Sequence, residues 1–209
     1  MVSASELFSA EEQKKIELAV RTVETKTSGE IVPMVVDSSY NYPRADLIGG
    51  GTLALATGLV ISWAFGGESI WWFLPIFIVG FFIFQQLIRS LPGLKRKLIH
   101  PDELTAEVKE KALVSFLEQG LHETRDRTGI LILISLFERR VHVLADSGIN
   151  ERVPEHTWNE IVEIITKGLK TGTACEAVCH AIERCGELLH EYPPHEVDNI
   201  DELPNLIME

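Results

Sequence analysis

Apolar residues fill two long stretches in the first half of the chain. Residues 47–65 and 70–88 contain no Asp, Glu, Lys or Arg. At 1.5 Å per residue, a helix over either stretch would be about 28 Å long, close to the ~30 Å hydrocarbon core of a bilayer. Only residues 66–69 separate them, so the pattern predicts a two-helix transmembrane hairpin within residues 45–92. The alternative, a pair of buried core helices, needs a larger interior than a soluble chain of this size provides.

Other features of the two stretches favour an anchor over a pore. Neither places an ionisable side chain at mid-depth, so no ion pathway is predicted. Basic residues flank the hairpin at Arg44, Arg89 and Lys95, and the positive-inside rule therefore places both flanks in the cytoplasm. Small residues of the first helix are expected to form a smooth side for bulky residues of the second: Gly49, Gly50, Gly51, Ala54 and Gly58 against Phe77, Phe81 and Phe84.

The residues before the hairpin predict one helix and one strand. Ser9 and Glu12 form a capping box at the start of a helical pattern of apolar residues. Residues 31–36 predict a strand that is apolar on both faces. Pro33 within it predicts an edge strand or a bulge, because proline has no N–H to donate to a neighbouring strand.

The residues after the hairpin continue the pattern of a mixed α/β domain. Residues 130–136 and 141–145 predict a β-hairpin, and further helices begin near Pro154 and Thr173. Residues 104–126 predict an amphipathic helix, whose apolar stripe is formed by Val108, Ala112, Leu113, Phe116, Leu117 and Leu121.

Together these elements predict an α/β fold, in which a small mixed sheet is sandwiched by helices and interrupted by the transmembrane hairpin. Residues 1–44 and 93–191 form the two parts of one domain, because neither part alone has enough elements to bury its apolar faces. The helices of the hairpin are expected at residues 47–65 and 70–88. Residues 192–209 are expected to form an acidic, irregular tail.

Charge and cysteine content exclude some functions. The 209 residues include 31 acids and 19 bases, which gives a formal net charge of −12. A surface this acidic repels phosphate backbones, so nucleic acid is not an expected partner. The 3 cysteines are an odd number without a paired framework, which fits a reducing compartment.

Two groups of potential metal ligands do not have the arrangement that zinc requires. His122 and Glu123 begin like a zinc-protease helix, but Asp126 stands where the second histidine should be, so a polar helix end is predicted. The second group comprises Cys175, Cys179, His180 and Cys185. These side chains lie on different sides of a helical wheel, so the cysteines are predicted to pack in the core rather than bind zinc.

Two aspartates remain as candidates for a cation site. Asp37 and Asp146 each follow a predicted strand. If these strands are neighbours and parallel, both carboxylates lie at one edge of the sheet and could hold Ca²⁺ or Mg²⁺ through oxygen ligands. The favoured alternative is that both are turn residues, whose side chains accept hydrogen bonds from the nearby backbone.

Four segments resemble the TPM domain family in its short bacterial, membrane-anchored form: LFSAEEQKKIELAV, TSGEIVPMVV, HETRDRTGILILISLFERRVHVLADSGI and AIERCGELL. The resemblance covers most residues outside the hairpin, including the strand–turn–strand that ends at Ala145, Asp146, Ser147 and Gly148. It implies an α/β sandwich that is tethered to a membrane and linked to the upkeep of membrane complexes. Calcium binding and acid phosphatase activity are further properties that the resemblance implies.

The sequence therefore predicts an integral protein of the bacterial inner membrane, with both termini in the cytoplasm. Its TPM-like domain is expected to bind other membrane proteins and assist their assembly or maintenance, without catalysis. The lipid bilayer and other membrane proteins are the expected partners, and self-association is left open. The alternative is a divalent-cation-dependent phosphatase at the membrane surface, with Ca²⁺ or Mg²⁺ held by Asp37 and Asp146.

Overall fold

A computed structural model describes residues 3–65, 70–124, 126–189 and 203–209. Within these residues, the helices are α1 (Ala4–Leu7), α2 (Ala10–Glu24), α3 (Pro43–Ala64), α4 (Ile70–Ser90), α5 (Pro92–Lys97), α6 (Pro101–Glu118), α7 (Ser147–Asn150), α8 (Glu155–Thr171) and α9 (Ala174–Leu189). The strands are β1 (Glu30–Val36), β2 (Gly129–Ser135), β3 (Arg140–Ala145) and β4 (Ile207–Met208). The predicted turn at 66–69 lies outside the described residues.

The described chain divides into two compact units. The hairpin unit comprises Tyr40–Leu104 and contains α3, α4 and α5. The sheet unit comprises the residues up to Ser39 together with Thr105–Glu209, and contains all four strands. The hairpin limits predicted from the sequence, 45–92, fall inside the hairpin unit.

The sheet is mixed and has four strands in the order β3-β2-β1-β4. β1 pairs in parallel with both β2 and β4, and β2 pairs antiparallel with β3. Helices cover both faces of the sheet. The structure confirms the predicted fold class, a small mixed sheet sandwiched by helices, and the β-hairpin formed by β2 and β3.

Two apolar layers lie on opposite faces of the sheet because alternate residues of β1 point to opposite sides. Ile31 and Val35 pack in the layer that contains residues of α2, α8 and α9. Val32 and Met34 pack in the other layer, against α6. All seven residues of β2 are buried, so this strand contributes to both layers. The sheet unit thus buries its own apolar core.

Pro33 occupies a position that differs from the predicted edge strand. β1 lies between β2 and β4, but β4 pairs only with Met34 and Val35. Val35 O accepts from Glu209 N at 2.8 Å, so odd-numbered residues of β1 direct their backbone groups toward the β4 side. The missing N–H of Pro33 would point toward the β4 side, but β4 does not extend as far as Pro33. The proline therefore costs the sheet no hydrogen bond.

The ends of several helices follow from local sequence. The capping box is present in the structure: Ser9 accepts from Glu12 N, and Glu12 accepts from Ser9 N. α8 ends at Gly172, which adopts the left-handed conformation with φ of 78°. α6 ends at Glu118 rather than continuing to residue 126, and Gly120 follows with φ of 74°. A glycine in this conformation is a common helix stop.

The end of the chain differs from the predicted irregular tail. Ile207 and Met208 form β4, and Asp37 N donates to Glu209 O at 2.8 Å. The apolar residues near the end of the chain add to the open side of β1, which offers unpaired backbone groups. Residues 190–202 lie outside the described residues.

Candidate functional site

The two helices of the hairpin expose their apolar side chains. α3 has 22 residues and α4 has 21, which corresponds to lengths of about 33 and 32 Å. In the most apolar part of each helix, 22% of the α3 residues and 0% of the α4 residues are buried. A core helix of a soluble protein would be mostly buried. Both helices are long and apolar enough to span a membrane.

The two ends of the hairpin differ in chemistry. Three indole rings are exposed at the end where α3 stops and α4 starts: Trp63 by 85%, Trp71 by 80% and Trp72 by 70%. At the other end, Arg44 is exposed near the start of α3, and Arg89 lies in the last turn of α4. In membrane proteins, Trp is enriched at both membrane interfaces, whereas Lys and Arg are enriched in the loops on the cytoplasmic side.

Small residues allow α3 and α4 to approach each other closely. A Cβ atom on Gly50 would lie 3.0 Å from the backbone nitrogen of Gln85, and one on Gly58 would lie 3.0 Å from the Phe73 ring. These contacts show that the two helices run antiparallel. The smooth side of α3 is as predicted, although Phe73 and Gln85 of α4 pack on it more closely than the predicted Phe81, which is 3.9 Å from a Cβ on Gly51.

A buried carboxylate holds together the basic end of the hairpin. The Asp46 side chain is 5% exposed and lies 3.2 Å from Arg89 Nε and 3.0 Å from Lys95 Nζ. Lys95 Nζ also donates to Asn41 O at 2.6 Å. These contacts connect α3, the end of α4 and α5. Because Asp46 is paired with two bases, it anchors the packing of these helices.

In the sheet unit, Asp37 caps a helix. Its Oδ1 accepts from Ala4 N at 2.5 Å and from Ser3 Oγ at 3.3 Å, at the start of α1. A carboxylate in this position satisfies backbone N–H groups that have no partner within the helix. Asp37 therefore has a structural role, but its partners lie at the start of α1 and not in its own turn, as the favoured alternative had expected.

Asp146 caps another helix. Its Oδ1 accepts from Ser147 N at 2.6 Å and from Ser147 Oγ at 3.1 Å, at the start of α7. The Oδ2 atom is buried and accepts no hydrogen bond from the described residues. Gly148 follows in close packing, since a Cβ there would lie 2.4 Å from Asp126 O.

The structure does not bring Asp37 and Asp146 together. Asp37 follows Val36, which pairs with Ser135, whereas Asp146 follows Ala145, which pairs with Ile130. The two pairs are separated along β2 by about 17 Å. The predicted shared site required neighbouring parallel strands, but β2 lies between β1 and β3, and β3 is antiparallel to it. These two carboxylates therefore do not fit a common Ca²⁺ or Mg²⁺ ion.

A buried glutamate that the sequence did not single out lies at the same end of the sheet as Asp37. Glu138 is 3% exposed and accepts from Ser38 Oγ at 3.2 Å and Ser39 N at 3.1 Å. Ser135 Oγ also donates to it. The sequence feature that could have indicated Glu138 is its place in a hairpin turn that contains neither Gly nor Asn. This cluster satisfies polar groups where β1 and β2 end.

A basic groove of about 240 Å³ lies beside β3, and the sequence did not indicate it. Its lining includes Lys109 of α6, Arg139 of the hairpin turn, and Arg140 and His142 of β3. Burial lowers the pKa of His142, and the charge of Lys109 lowers it further. Arg139 has a φ of 54°, which is uncommon for a residue other than glycine. Lys109 is far in sequence from the other three, so only the fold brings it beside them.

The cysteines are packed in the sheet unit. Cys175 and Cys185 are buried, and Cys179 is half-buried. Burial raises the pKa of Cys179 to about 11 and that of Cys185 to about 12. His180 is exposed. Among the described residues, no group of three or more His, Cys, Asp or Glu side chains could hold a metal ion.

The outer face of α6 is apolar. Leu113 is 53% exposed, Val114 41% and Leu117 49%. The sequence placed both leucines on the buried stripe, and this is wrong. The stripe is wider than the sheet covers, because Val108, Ala112 and Phe116 already fill the contact. Three adjacent exposed apolar side chains form a patch that could bind another protein.

Comparisons with known proteins agree with this geometry. Residues 96–188 match the family model of the TPM domain. The chain is similar in fold to the BA42 protein of the psychrophilic bacterium Bizionia argentinensis, solved by NMR, with a TM-score of 0.58 and 22% sequence identity. The match covers 100% of this chain and 99% of that chain. No curated protein matches the chain significantly. Residues 96–188 therefore resemble the TPM domain family, and the chain as a whole shares a fold with the BA42 protein.

Proposed function

We propose that α3 and α4 cross the bacterial inner membrane and anchor the TPM domain on its cytoplasmic face. The observation that carries this proposal is the exposure of apolar side chains along both helices, from which water would have to be excluded. The sheet unit supports it as well, since none of the residues in its two apolar layers comes from α3 or α4. Lipid tails are the surroundings that suit such a surface.

The distribution of charge supports the proposed orientation. Residues 40–65 and 70–99 contain five bases and one acid, Asp46, in a chain whose net charge is −12. The bases lie where α3 begins and α4 ends, so both termini of the chain belong to the cytoplasmic side. The exposed Trp residues then lie at the opposite interface.

We further propose that the TPM domain binds other membrane proteins and assists their assembly or maintenance. The exposed face of α6, formed by Leu113, Val114 and Leu117, supports this part of the proposal. An exposed apolar cluster on an acidic domain favours a protein partner over a charged solute. The alternative phosphatase loses its proposed cation site, because Asp37 and Asp146 lie at opposite ends of the sheet.

A charge placed on the lipid-facing side of the hairpin tests the anchor. Leu55→Arg with Val79→Arg puts one arginine on the exposed side of each helix. Each should oppose insertion by about 2.5–3.5 kcal/mol near the bilayer centre. We expect the carbonate-resistant membrane fraction to fall sharply. Leu18→Arg, at a 65% exposed position of α2, is the matched control and should leave that fraction unchanged.

Recovery of the wild-type chain in the soluble fraction without detergent would refute the anchor. So would a double variant that remains fully carbonate-resistant and floats with vesicles as the wild type does. In a soluble protein, arginine at two exposed positions would be harmless, and the experiment therefore separates the two cases.

Affinity purification in mild detergent tests the partner. The full chain should recover membrane proteins in stoichiometric amounts, and Leu113→Ser with Leu117→Ser should lose them. Leu18→Ser is the control, because it removes an exposed leucine from α2 of the same unit. A chain that elutes as a clean monomer, or partners that are retained equally by both variants, would count against binding through α6.

A further inference from the structure

The short segment after α4 has an apolar face of its own. Leu91, Leu94 and Leu98 are spaced by three and four residues, so they share one side of the turn that contains α5. Their exposed fractions are 45%, 41% and 47%. These leucines thus extend the apolar surface beyond the last residue of α4.

Positive charge lies on the other sides of the same segment. At 100° per residue, Arg96 lies opposite the leucine face and Lys97 lies beside it. Lys97 is exposed, and Arg96 is half-buried. A short helix with leucines on one side and bases on another has the pattern of a segment that lies in a membrane interface.

Contacts within the hairpin unit fix α5 at the basic end of the hairpin. Lys95 Nζ lies 3.0 Å from Asp46 Oδ1 near the start of α3. Leu98 packs over Gly49, where a Cβ would lie 2.7 Å from Leu98 Cδ1. α5 is therefore held where α3 begins and α4 ends, at the level at which a bilayer would present its headgroups.

We propose that α5 lies in the membrane interface and binds the phosphate groups of anionic phospholipids. The leucine face enters the boundary of the acyl chains, while Arg96 and Lys97, with the nearby Arg44, contact the phosphates. This inference rests on the proposed function, because it requires the hairpin to be inserted. Charge complementarity selects the occupant: the rest of the chain is acidic, and this end of the hairpin concentrates its bases.

A fluorescent probe at residue 93 tests the proposal in the full chain. A Cβ on Gly93 would meet nothing within 4 Å, so Gly93→Cys provides a labelling site that disturbs no packing. Burial raises the pKa of all three native thiols, and they should react slowly at neutral pH because the thiolate is the nucleophile. The labelled protein is reconstituted into nanodiscs of phosphatidylcholine with or without phosphatidylglycerol.

We expect the probe emission to shift to the blue in discs that contain phosphatidylglycerol, and high salt to reverse the shift by screening. Arg96→Gln with Lys97→Gln should lose the shift, since each base raises the binding constant for an anionic membrane surface about fivefold. Arg96→Lys with Lys97→Arg keeps the charge and should retain it. Lys167→Gln with Lys170→Gln, at exposed positions of α8, should retain it as well.

Two controls separate the failures. Resistance to carbonate extraction is measured in both lipid compositions, with and without phosphatidylglycerol. If carbonate extracts the chain from both, the anchor itself is refuted. A chain that is inserted in both, but whose probe emission is the same with and without phosphatidylglycerol, refutes only the role of α5. Inorganic phosphate alone should leave the emission unchanged, and an equal shift with phosphate would overturn binding to a lipid surface.

Discussion

β2 and α4 are both composed almost entirely of apolar residues, yet they have opposite surroundings. Every residue of β2 is buried between two layers of helices, with Ile132 at 0% exposure. In α4, the buried residue is Ile88, and Ile83 in the same helix is 59% exposed. α4 packs against α3 on one side and leaves its other sides open. Hydropathy alone does not distinguish these two elements, whereas the packing around them does.

This difference indicates what stabilises each region. In the sheet unit, removal of apolar surface from water is the main favourable term, so each buried methyl group contributes to stability. In the hairpin unit, lipid tails are as apolar as leucine, so close packing and paired polar groups hold the helices together instead. The same substitution should therefore have different effects in the two regions.

Ile132→Ala should have the largest effect on stability. It removes a fully buried side chain from β2 and leaves a cavity, which lowers the free energy of unfolding by about 2–5 kcal/mol. Ile83→Ala deletes the same atoms from the exposed side of α4 and should leave the sheet unit unaffected. Hydrogen exchange of the β2 amides in the detergent-solubilised protein measures both. Equal acceleration of exchange by the two variants would contradict the comparison.

Gly50→Leu should disturb the hairpin because it places a side chain where the backbone of α4 approaches α3. A Cβ there lies 3.0 Å from a backbone atom of Gln85, which cannot rotate away. Overpacking of this kind costs about 1–3 kcal/mol. Gly51→Leu is the control, since its Cβ would lie 3.9 Å from Phe81. Titration with a denaturing detergent, followed by helical circular dichroism, should show an earlier transition for Gly50→Leu alone.

Much of the fold could be predicted because local patterns determine it. The capping box at Ser9 and the left-handed stop at Gly172 each depend on residues within one turn of the chain. The hairpin consists of two long apolar stretches with one interruption. α3 begins at Pro43, a few residues before the predicted start, and α4 ends at Ser90, just after the predicted end. Long periodic segments carry this information in their own sequence.

The candidate site could not be predicted in the same way. Whether Asp37 and Asp146 meet depends on which strands are neighbours and on their direction, and these are set by pairing between distant segments. The strand at Ile207 also depends on a distant partner, the open side of β1. The exposure of Leu113 depends on the width of the sheet beneath α6. The helical period identifies a stripe, but not how much of it is covered.

Asp46→Asn should loosen the basic end of the hairpin. It removes the charge that pairs with Arg89 and with Lys95, whose side chain is only 13% exposed. A lost hydrogen bond to a charged group costs about 1.5–3 kcal/mol. Faster hydrogen exchange over residues 91–98 would report the release of α5. Asp102→Asn is the control, since that carboxylate is 92% exposed beside His100.

If exchange over residues 91–98 is unchanged in Asp46→Asn, the ion pairs do not hold α5, and its position must come from Leu98 against Gly49. Leu98→Ala then becomes the decisive variant, because it removes the side chain that packs over the bare backbone of α3. An unchanged Asp46→Asn variant would show that apolar packing, rather than charge, holds this end of the hairpin.

His142 should make the smallest contribution, and it affects the sheet unit alone. Its pKa in the folded chain lies below the ordinary 6.5, first because of burial and then because of Lys109. Below the ordinary pKa, the unfolded chain binds a proton that the folded chain does not, so folding becomes less favourable as the pH falls. Above it, both states are neutral at this residue and the contribution is constant.

The thermal midpoint of the sheet unit should therefore fall less in His142→Gln than in the wild type between about pH 7 and about pH 5. Lys109→Met should raise the His142 pKa toward its ordinary value, which an NMR titration measures directly, whereas Lys170→Met, at an exposed position of α8, should not. Because burial remains in Lys109→Met, the pKa should recover only in part. Full recovery would mean that the Lys109 charge, not burial, dominates the groove.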